Sequence, residues 1–72
     1  MEKKELTEKQ RQILTYIREE SFTNGYQPSL REVAGYLGIT VSAVRGHLLA
    51  CEKKGFVEIT GRGRGVKFLE HI

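Results

Sequence analysis

The stretch PSLREVAGYLGITVSAVRG, residues 28–46, combines two helix starts with one tight turn. Ser29 begins a Ser-x-x-Glu capping box, in which its hydroxyl and the carboxylate of Glu32 each satisfy a free backbone N–H group. Apolar residues follow at helical spacing, at Val33, Ala34 and Leu37. Gly38 ends this pattern, because glycine readily adopts the left-handed conformation found at helix C-termini. We therefore predict a short helix over about residues 30–37.

Small and apolar residues around the turn predict how this helix meets the next one. Ala34 is small enough to let a following helix cross closely, and Gly38 permits a tight turn. Ile39 can plug the turn, and Val44 can point back from the next helix. Two helices joined by a short turn that contains glycine form a helix-turn-helix pair.

Two further helices are predicted on either side of the turn. Thr7 opens another capping box, apolar residues recur at helical spacing, and Asn24-Gly25 is a stop signal. This pattern predicts a helix over about residues 8–22. Thr40 can cap a third helix over about residues 41–54, which Gly55 ends. Its apolar stripe consists of Val44, Leu48 and Cys51.

After Gly55 the apolar period changes to two, which indicates β-strands. The runs FVEIT, residues 56–60, and VKFL, residues 66–69, flank the glycine-rich segment GRGRG, residues 61–65. This order predicts a hairpin, or wing, over about residues 56–69. The fold class is α+β, mainly α: a three-helix winged helix-turn-helix with a C-terminal two-stranded β-hairpin. With no linker inside it, the chain of residues 1–72 is predicted to be a single domain.

The charge distribution favours an anionic partner. The net charge is +3, and all of the excess lies in residues 31–72, which carry seven Lys and Arg against four Glu. The longest apolar run has four residues, residues 48–51, far short of a membrane span. The start of the chain lacks the apolar segment of a secretory signal, so we expect a cytoplasmic protein without a membrane partner.

No pattern predicts an enzyme, a cofactor or a metal site. The chain has no Asp, and we find no nucleophile–base constellation. The GRGRG segment matches neither a Walker A loop nor a dinucleotide-binding loop. His47 and Cys51 have the spacing of two metal ligands on a helix, but no further pair completes a set of four. Cys51 lies on the apolar stripe, so we expect a buried thiol.

The outward face of the third helix carries the strongest binding candidates. If the apolar stripe is buried, the residues that face outward are Ser42, Arg45, Gly46 and Leu49. Arg45 has the fork of donors that pairs with guanine, although a solvated surface arginine has the same pattern. Gly46 costs about 1 kcal/mol in a helix relative to alanine. It either permits close approach to a duplex or is merely tolerated.

Other polar residues are candidates for phosphate contacts. They are Ser29, Arg31, Lys53, Lys54, Arg62 and Arg64. Ser29 and Arg31 stand at a helix N-terminus, which favours an anion, although Ser29 can be a cap alone. Lys53 and Lys54 end the third helix, where lysines are often only solvated. The two wing arginines, Arg62 and Arg64, suit phosphate or a narrow minor groove.

Three segments of the chain resemble the DNA-binding domain of the LexA family of bacterial SOS repressors. They are LTEKQRQILTYI (6–17), NGYQPSLREVAGYLGI (24–39) and HLLACEKKGFVEI (47–59). The resemblance covers residues 6–69 and implies that the third helix enters the major groove of operator DNA. By position in that family, the base-contacting face comprises Thr40, Ser42, Ala43, Arg45 and Gly46. LexA repressors also carry a self-cleaving peptidase domain that supplies dimerisation, and no segment here corresponds to it.

The sequence therefore predicts a transcriptional regulator that binds double-stranded DNA sequence-specifically, as a repressor. A homodimer on a palindromic site is compatible with this function, and no small-molecule ligand is evident. The alternative is a winged-helix module for protein–protein interaction, for which Leu49 gives a slight hint. Single-stranded nucleic acid is disfavoured, since no Phe or Tyr lies among the outward residues of the third helix.

Overall fold

The computed structural model describes residues 5–60 and 65–69 and contains three helices followed by an antiparallel hairpin. The elements are α1 (Glu8–Asn24), α2 (Leu30–Leu37), α3 (Val41–Lys53), β1 (Val57–Ile59) and β2 (Val66–Phe68). This arrangement is a mainly helical, winged helix-turn-helix fold. The first helix runs two residues past its expected end, because its left-handed cap lies at Gly25, with a φ of 83°.

Each helix begins at a side chain that satisfies free backbone N–H groups. Thr7 Oγ1 accepts from Gln10 N at 3.2 Å, and Gln10 Oε1 accepts from Thr7 N at 3.0 Å. Ser29 and Glu32 form the same reciprocal pair before α2, at 3.1 and 2.9 Å. Thr40 caps α3 by accepting from Ala43 N at 3.0 Å. These caps fix where the two helices of the turn begin.

The turn between α2 and α3 has the predicted tight geometry. Gly38 adopts a left-handed conformation with a φ of 71°, and its N–H donates to Ala34 O. Ile39 N donates to the same carbonyl at 3.0 Å. The two helices are consequently bent by 105° relative to one another, as in a helix-turn-helix pair. No single described helix is long and apolar enough to cross a membrane, and only this bent pair reaches that length and apolar content together.

The hydrophobic core draws on every element of the fold. Its buried members are Leu6, Ile13, Leu14, Ile17, Val33, Ala34, Val44, Leu48, Cys51, Phe56, Val57 and Val66. The apolar stripe expected on α3 is fully inside it: Val44 and Cys51 are 0% exposed, and Leu48 is 3% exposed. Burying that stripe orients α3, so that the opposite side of the helix faces outward.

The hairpin follows α3 through a glycine turn. Gly55 is left-handed, with a φ of 88°, and Phe56 N donates to Cys51 O at 3.1 Å, which closes the end of α3. β1 and β2 pair in antiparallel register, with Val57 opposite Phe68 and Ile59 opposite Val66. Val57 and Val66 are buried, so one face of the hairpin packs on the core.

Candidate nucleic-acid interface

The outward face of α3 combines small side chains with one arginine. Ser42, Arg45 and Gly46 are exposed, and Ala43 is half-buried. Thr40 is exposed as well, but its hydroxyl is engaged in the cap of α3. Arg45 makes no hydrogen bond or ion pair with any of the residues that the structure describes. Its five N–H donors are therefore available to a partner outside this part of the chain.

Gly46 is not required by packing within the described part of the fold. A Cβ added at this position would meet no heavy atom within 4 Å, and its φ lies outside the left-handed range. A helix-interior glycine costs about 1 kcal/mol relative to alanine. The open space beside Arg45 leaves room for another molecule to approach the α3 backbone.

The N-terminus of α2 presents a second polar group of residues. Arg31 is exposed, while the hydroxyl oxygen of Ser29 accepts the N–H of Glu32. A hydroxyl that accepts one hydrogen bond still carries its own proton and can donate it. The carboxylate of Glu32 accepts from Ser29 N, which places a negative charge beside the two candidates. Ser29 is uncharged, so Arg31 is the candidate whose positive charge suits a phosphate.

The two lysines at the end of α3 differ in their surroundings. Lys53 is exposed. The ammonium group of Lys54 instead donates to Glu5 O and to Gln10 Oε1, both at 2.7 Å. Two of its three donors are thus used to hold the end of α3 against the start of α1. Sequence reasoning missed this structural role, because Gln10 lies 44 residues away along the chain.

The described base of the wing is closed by Thr60 and Gly65. Thr60 N donates to Gly65 O at 3.1 Å, and Thr60 Oγ1 donates to the same carbonyl at 3.2 Å. Gly65 has a φ of 114°, and a Cβ there would lie 3.1 Å from Thr60 Oγ1. Glycine is therefore required at this position. The predicted contact residues Arg62 and Arg64 lie outside the described residues.

A cleft of about 150 Å³ separates the outward face of α3 from the hairpin. Its walls are mostly apolar and include Leu48, Leu49, Ile59 and Val66. Among the described residues that line it, Arg45 is the one with a charged side chain. Arg45, the candidate for nucleobase contact, and Gly65 in the hairpin therefore border the same cleft.

Two side chains that sequence reasoning missed hold the hairpin in place. The amide of Gln27, in the loop before α2, donates from Nε2 to Val66 O at 2.7 Å. Its Oε1 accepts from Val66 N at 2.8 Å. Glu52, in the last turn of α3, accepts from Ile59 N at 3.1 Å. No local pattern could have indicated the first pair, since its members lie 39 positions apart in the sequence.

The remaining reactive residues do not form a centre in the described part of the chain. No group of three or more His, Cys, Asp or Glu side chains there could hold a metal ion. Cys51 is a free thiol that is 0% exposed, and burial raises its pKa, which Lys54 partly offsets. Burial also raises the pKa of Tyr16, whose ring stacks on Tyr36 with a centroid distance of 4.1 Å. These groups contribute to packing between the helices.

Comparisons with known proteins agree with this geometry. A family model described as the LexA DNA binding domain matches residues 3–65. Among curated proteins, the chain is 43% identical over 70 residues to a LexA repressor of Thermotoga maritima and 49% identical over 70 residues to one of Thermotoga petrophila. Each alignment covers 96% of this chain and 36% of the relative.

A LexA repressor of another organism provides a further match. The chain is 45% identical over 53 residues to a LexA repressor of Sorangium cellulosum, which covers 72% of this chain and 23% of the relative. The chain thus spans about a third or less of the length of the curated relatives described here.

Proposed function

This chain belongs to the LexA DNA-binding domain family, and from that premise we propose that it binds double-stranded DNA sequence-specifically as a transcriptional repressor or as the DNA-binding part of one. The observation that carries the proposal is the outward face of α3. There Arg45 is exposed and unpaired among the described residues, beside the open space at Gly46. Such a repressor acts in the bacterial cytoplasm, where the chromosome lies.

In this proposal α3 enters the major groove, and the two flanking regions contact the DNA backbone. The base-contacting face comprises Thr40, Ser42, Ala43, Arg45 and Gly46. Its small residues allow the helix to lie deep in the groove, and Arg45 donates to O6 and N7 of a guanine. Contacts to phosphate come from Ser29, Arg31 and Lys53 and from the wing arginines Arg62 and Arg64. Lys54 contributes mainly by fixing the end of α3, since two of its donors are engaged.

A protein–protein module is not favoured as an alternative function. Leu49 is 51% exposed and Val41 is 37% exposed, and these are the large apolar side chains that α3 exposes. Single exposed apolar residues are ordinary on soluble proteins. The unpaired Arg45 between them fits an anionic duplex better than an apolar partner surface.

We expect the chain to prefer duplex DNA over single strands. The test is a titration with three probes at two salt concentrations: a duplex selected from a random library, a mixed-sequence duplex and the single strands of the selected site. The selected duplex should bind most tightly, because base contacts add to the phosphate contacts that every duplex provides. Higher salt should weaken both duplexes. Equal affinity for the single strand, or no preference between the duplexes, would contradict the proposed function.

We expect weak binding by one copy and tight binding by two. A module of this size covers only about 600–1,000 Å² on DNA. Two copies on half-sites about one helical turn apart should therefore bind much more tightly than one copy on a half-site. Sedimentation of the free chain and titration of single and paired half-sites measure this. A stable dimer without DNA, or nanomolar binding to an isolated half-site at physiological salt, would contradict the expectation.

We expect the wing arginines to contribute through charge. Substituting Arg62→Ala together with Arg64→Ala should reduce the slope of log K against log[salt] by about 0.9 for each lost phosphate contact. The order of preferred sequences should not change. Lys9→Ala with Arg11→Ala on α1 is the matched control, because it removes the same charge outside the proposed interface. An unchanged slope in the wing variant would remove the wing from the interface, and an altered order would indicate groove-shape recognition.

A further inference from the structure

Neither outer edge of the hairpin pairs with a third strand among the described residues, and side chains take that place. Phe56 and Leu69 share a backbone bond at 2.9 Å, and Thr60 and Gly65 share one at 3.1 Å. In an antiparallel ladder, pairs of opposite residues alternate between hydrogen-bonded and non-hydrogen-bonded pairs. Ile59 and Val66 form a non-bonded pair, so their backbone groups point away from the partner strand. Each strand therefore needs a partner on its outer side.

On the β2 side, the amide of Gln27 supplies that partner. Its Nε2 donates to Val66 O at 2.7 Å, and its Oε1 accepts from Val66 N at 2.8 Å. A primary amide offers one donor and one acceptor side by side, as the backbone of a neighbouring strand does. Both outward groups of Val66 are thus satisfied by one side chain. On the β1 side, the carboxylate of Glu52 satisfies one outward group, because it accepts from Ile59 N at 3.1 Å.

These bonds connect each strand to a different helix of the helix-turn-helix pair. Gln27 lies just before the N-terminus of α2, and Glu52 lies in the last turn of α3. The strands themselves have only three residues each, and an isolated two-stranded hairpin of that length has little stability of its own. The orientation of the hairpin relative to α2 and α3 consequently depends on such bonds and on the buried side chains of β1 and β2.

We propose that Gln27 is a positioning residue for DNA binding, whose double hydrogen bond to Val66 sets the hairpin in the orientation that contacts the DNA backbone. This inference rests on the proposed function. Gln27 itself need not touch DNA, because it acts through Val66 and β2. Without the amide, β2 keeps its pairing with β1 but loses its connection to the loop before α2. The hairpin then samples orientations of which only a fraction match the duplex, and its contacts are weakened.

The test compares Gln27→Met with Gln12→Met. Methionine keeps the length of glutamine but offers no amide donor or acceptor, and Gln12 is exposed on α1, outside the proposed interface. In the free protein, hydrogen exchange at the Val66 amide should become about tenfold faster in Gln27→Met, as expected for the loss of a hydrogen bond of ordinary strength. Gln12→Met should leave that exchange rate unchanged.

DNA binding is then measured on the library-selected duplex over a salt series, well below the melting midpoint of each variant. The slope of log K against log[salt] should fall by about 0.9 or more in Gln27→Met, because at least one phosphate contact is lost. A purely structural role would lower the melting temperature and leave this slope unchanged, and that result would overturn the inference. If Gln27→Met does not fold, Gln27→Ala replaces it in both experiments. Alanine likewise removes the acceptor for Val66 N and the donor to Val66 O.

The two proposals fail in different ways. If the unchanged chain shows no duplex preference, the proposed function fails, whatever Val66 exchange shows. A second outcome is that the unsubstituted protein prefers duplex DNA while Gln27→Met keeps the same salt slope or the same Val66 exchange rate as that protein. In that case the inference about Gln27 is wrong. Faster exchange together with a reduced slope supports it.

Discussion

Replacing Leu48 with alanine is expected to lower the free energy of unfolding by about 2–5 kcal/mol. Leu48 is 3% exposed and lies on the buried stripe of α3 that contacts the core. A chain of this length has a total stability of only about 4–11 kcal/mol at typical values per residue. If the stability lies at the lower end of that range, the substitution leaves a substantial unfolded population. Thermal and urea unfolding followed by circular dichroism measure the effect.

The neighbouring residue provides a matched control on the same helix. Leu49 is 51% exposed, so Leu49→Ala should change the free energy of unfolding by no more than about 0.5 kcal/mol. The two substitutions remove the same atoms and have the same helix propensity effect, and they differ only in burial. If they cost the same, α3 does not pack on the core through the face that the structure shows.

Replacing Arg45 with alanine is expected to weaken binding to the selected duplex by about 1–3 kcal/mol, or about 5- to 150-fold. Arg45 is exposed and has no partner among the described residues, so the substitution should hardly change stability. If the side chain contacts a guanine, the preference at one base position should also become weaker. Selection from a random library with the variant, combined with titration of the selected duplex, measures both effects.

Two further variants separate the possible roles of Arg45. Arg45→Lys keeps the charge and loses the planar fork, so it should restore little of the base preference. Arg11→Ala removes the same charge from an exposed position on α1, outside the proposed interface, and should have a much smaller effect. Equal weakening of selected and mixed-sequence duplexes by Arg45→Ala would place Arg45 on a phosphate and contradict base recognition.

The predictions for Leu48 and Arg45 concern opposite faces of α3. The buried stripe determines how α3 is rotated, and that rotation determines which residues can reach a partner. Arg45 also borders the cleft next to the hairpin, so α3 and the base of the wing lie close enough to act on one duplex. Stability and recognition should therefore be separable by mutation along α3, which the Leu48, Leu49 and Arg45 variants test.

The sequence alone determined the features that depend on neighbours along the chain. The capping box at Ser29, the left-handed turn at Gly38 and the buried stripe of α3 were all predicted from residues three to seven positions apart, and the structure has them. Capping and helical periodicity depend on residues only a few positions apart, so a short stretch of sequence is enough to predict them. The expected end of α1 was two residues short, because the cap that decides it is at Gly25.

Only the tertiary structure decided how these elements hold one another. Gln27 with Val66, Lys54 with Gln10 and Glu52 with Ile59 are pairs that form when the helices and the hairpin dock. The first two join residues 39 and 44 positions apart, and nothing near either residue indicates its partner. Lys54 is an example: its place at a helix end made it a candidate for a phosphate contact or for solvation, and neither pattern indicated its two protein acceptors. A side chain's partner depends on which surfaces meet, and that is fixed by the packing of the whole core rather than by local sequence.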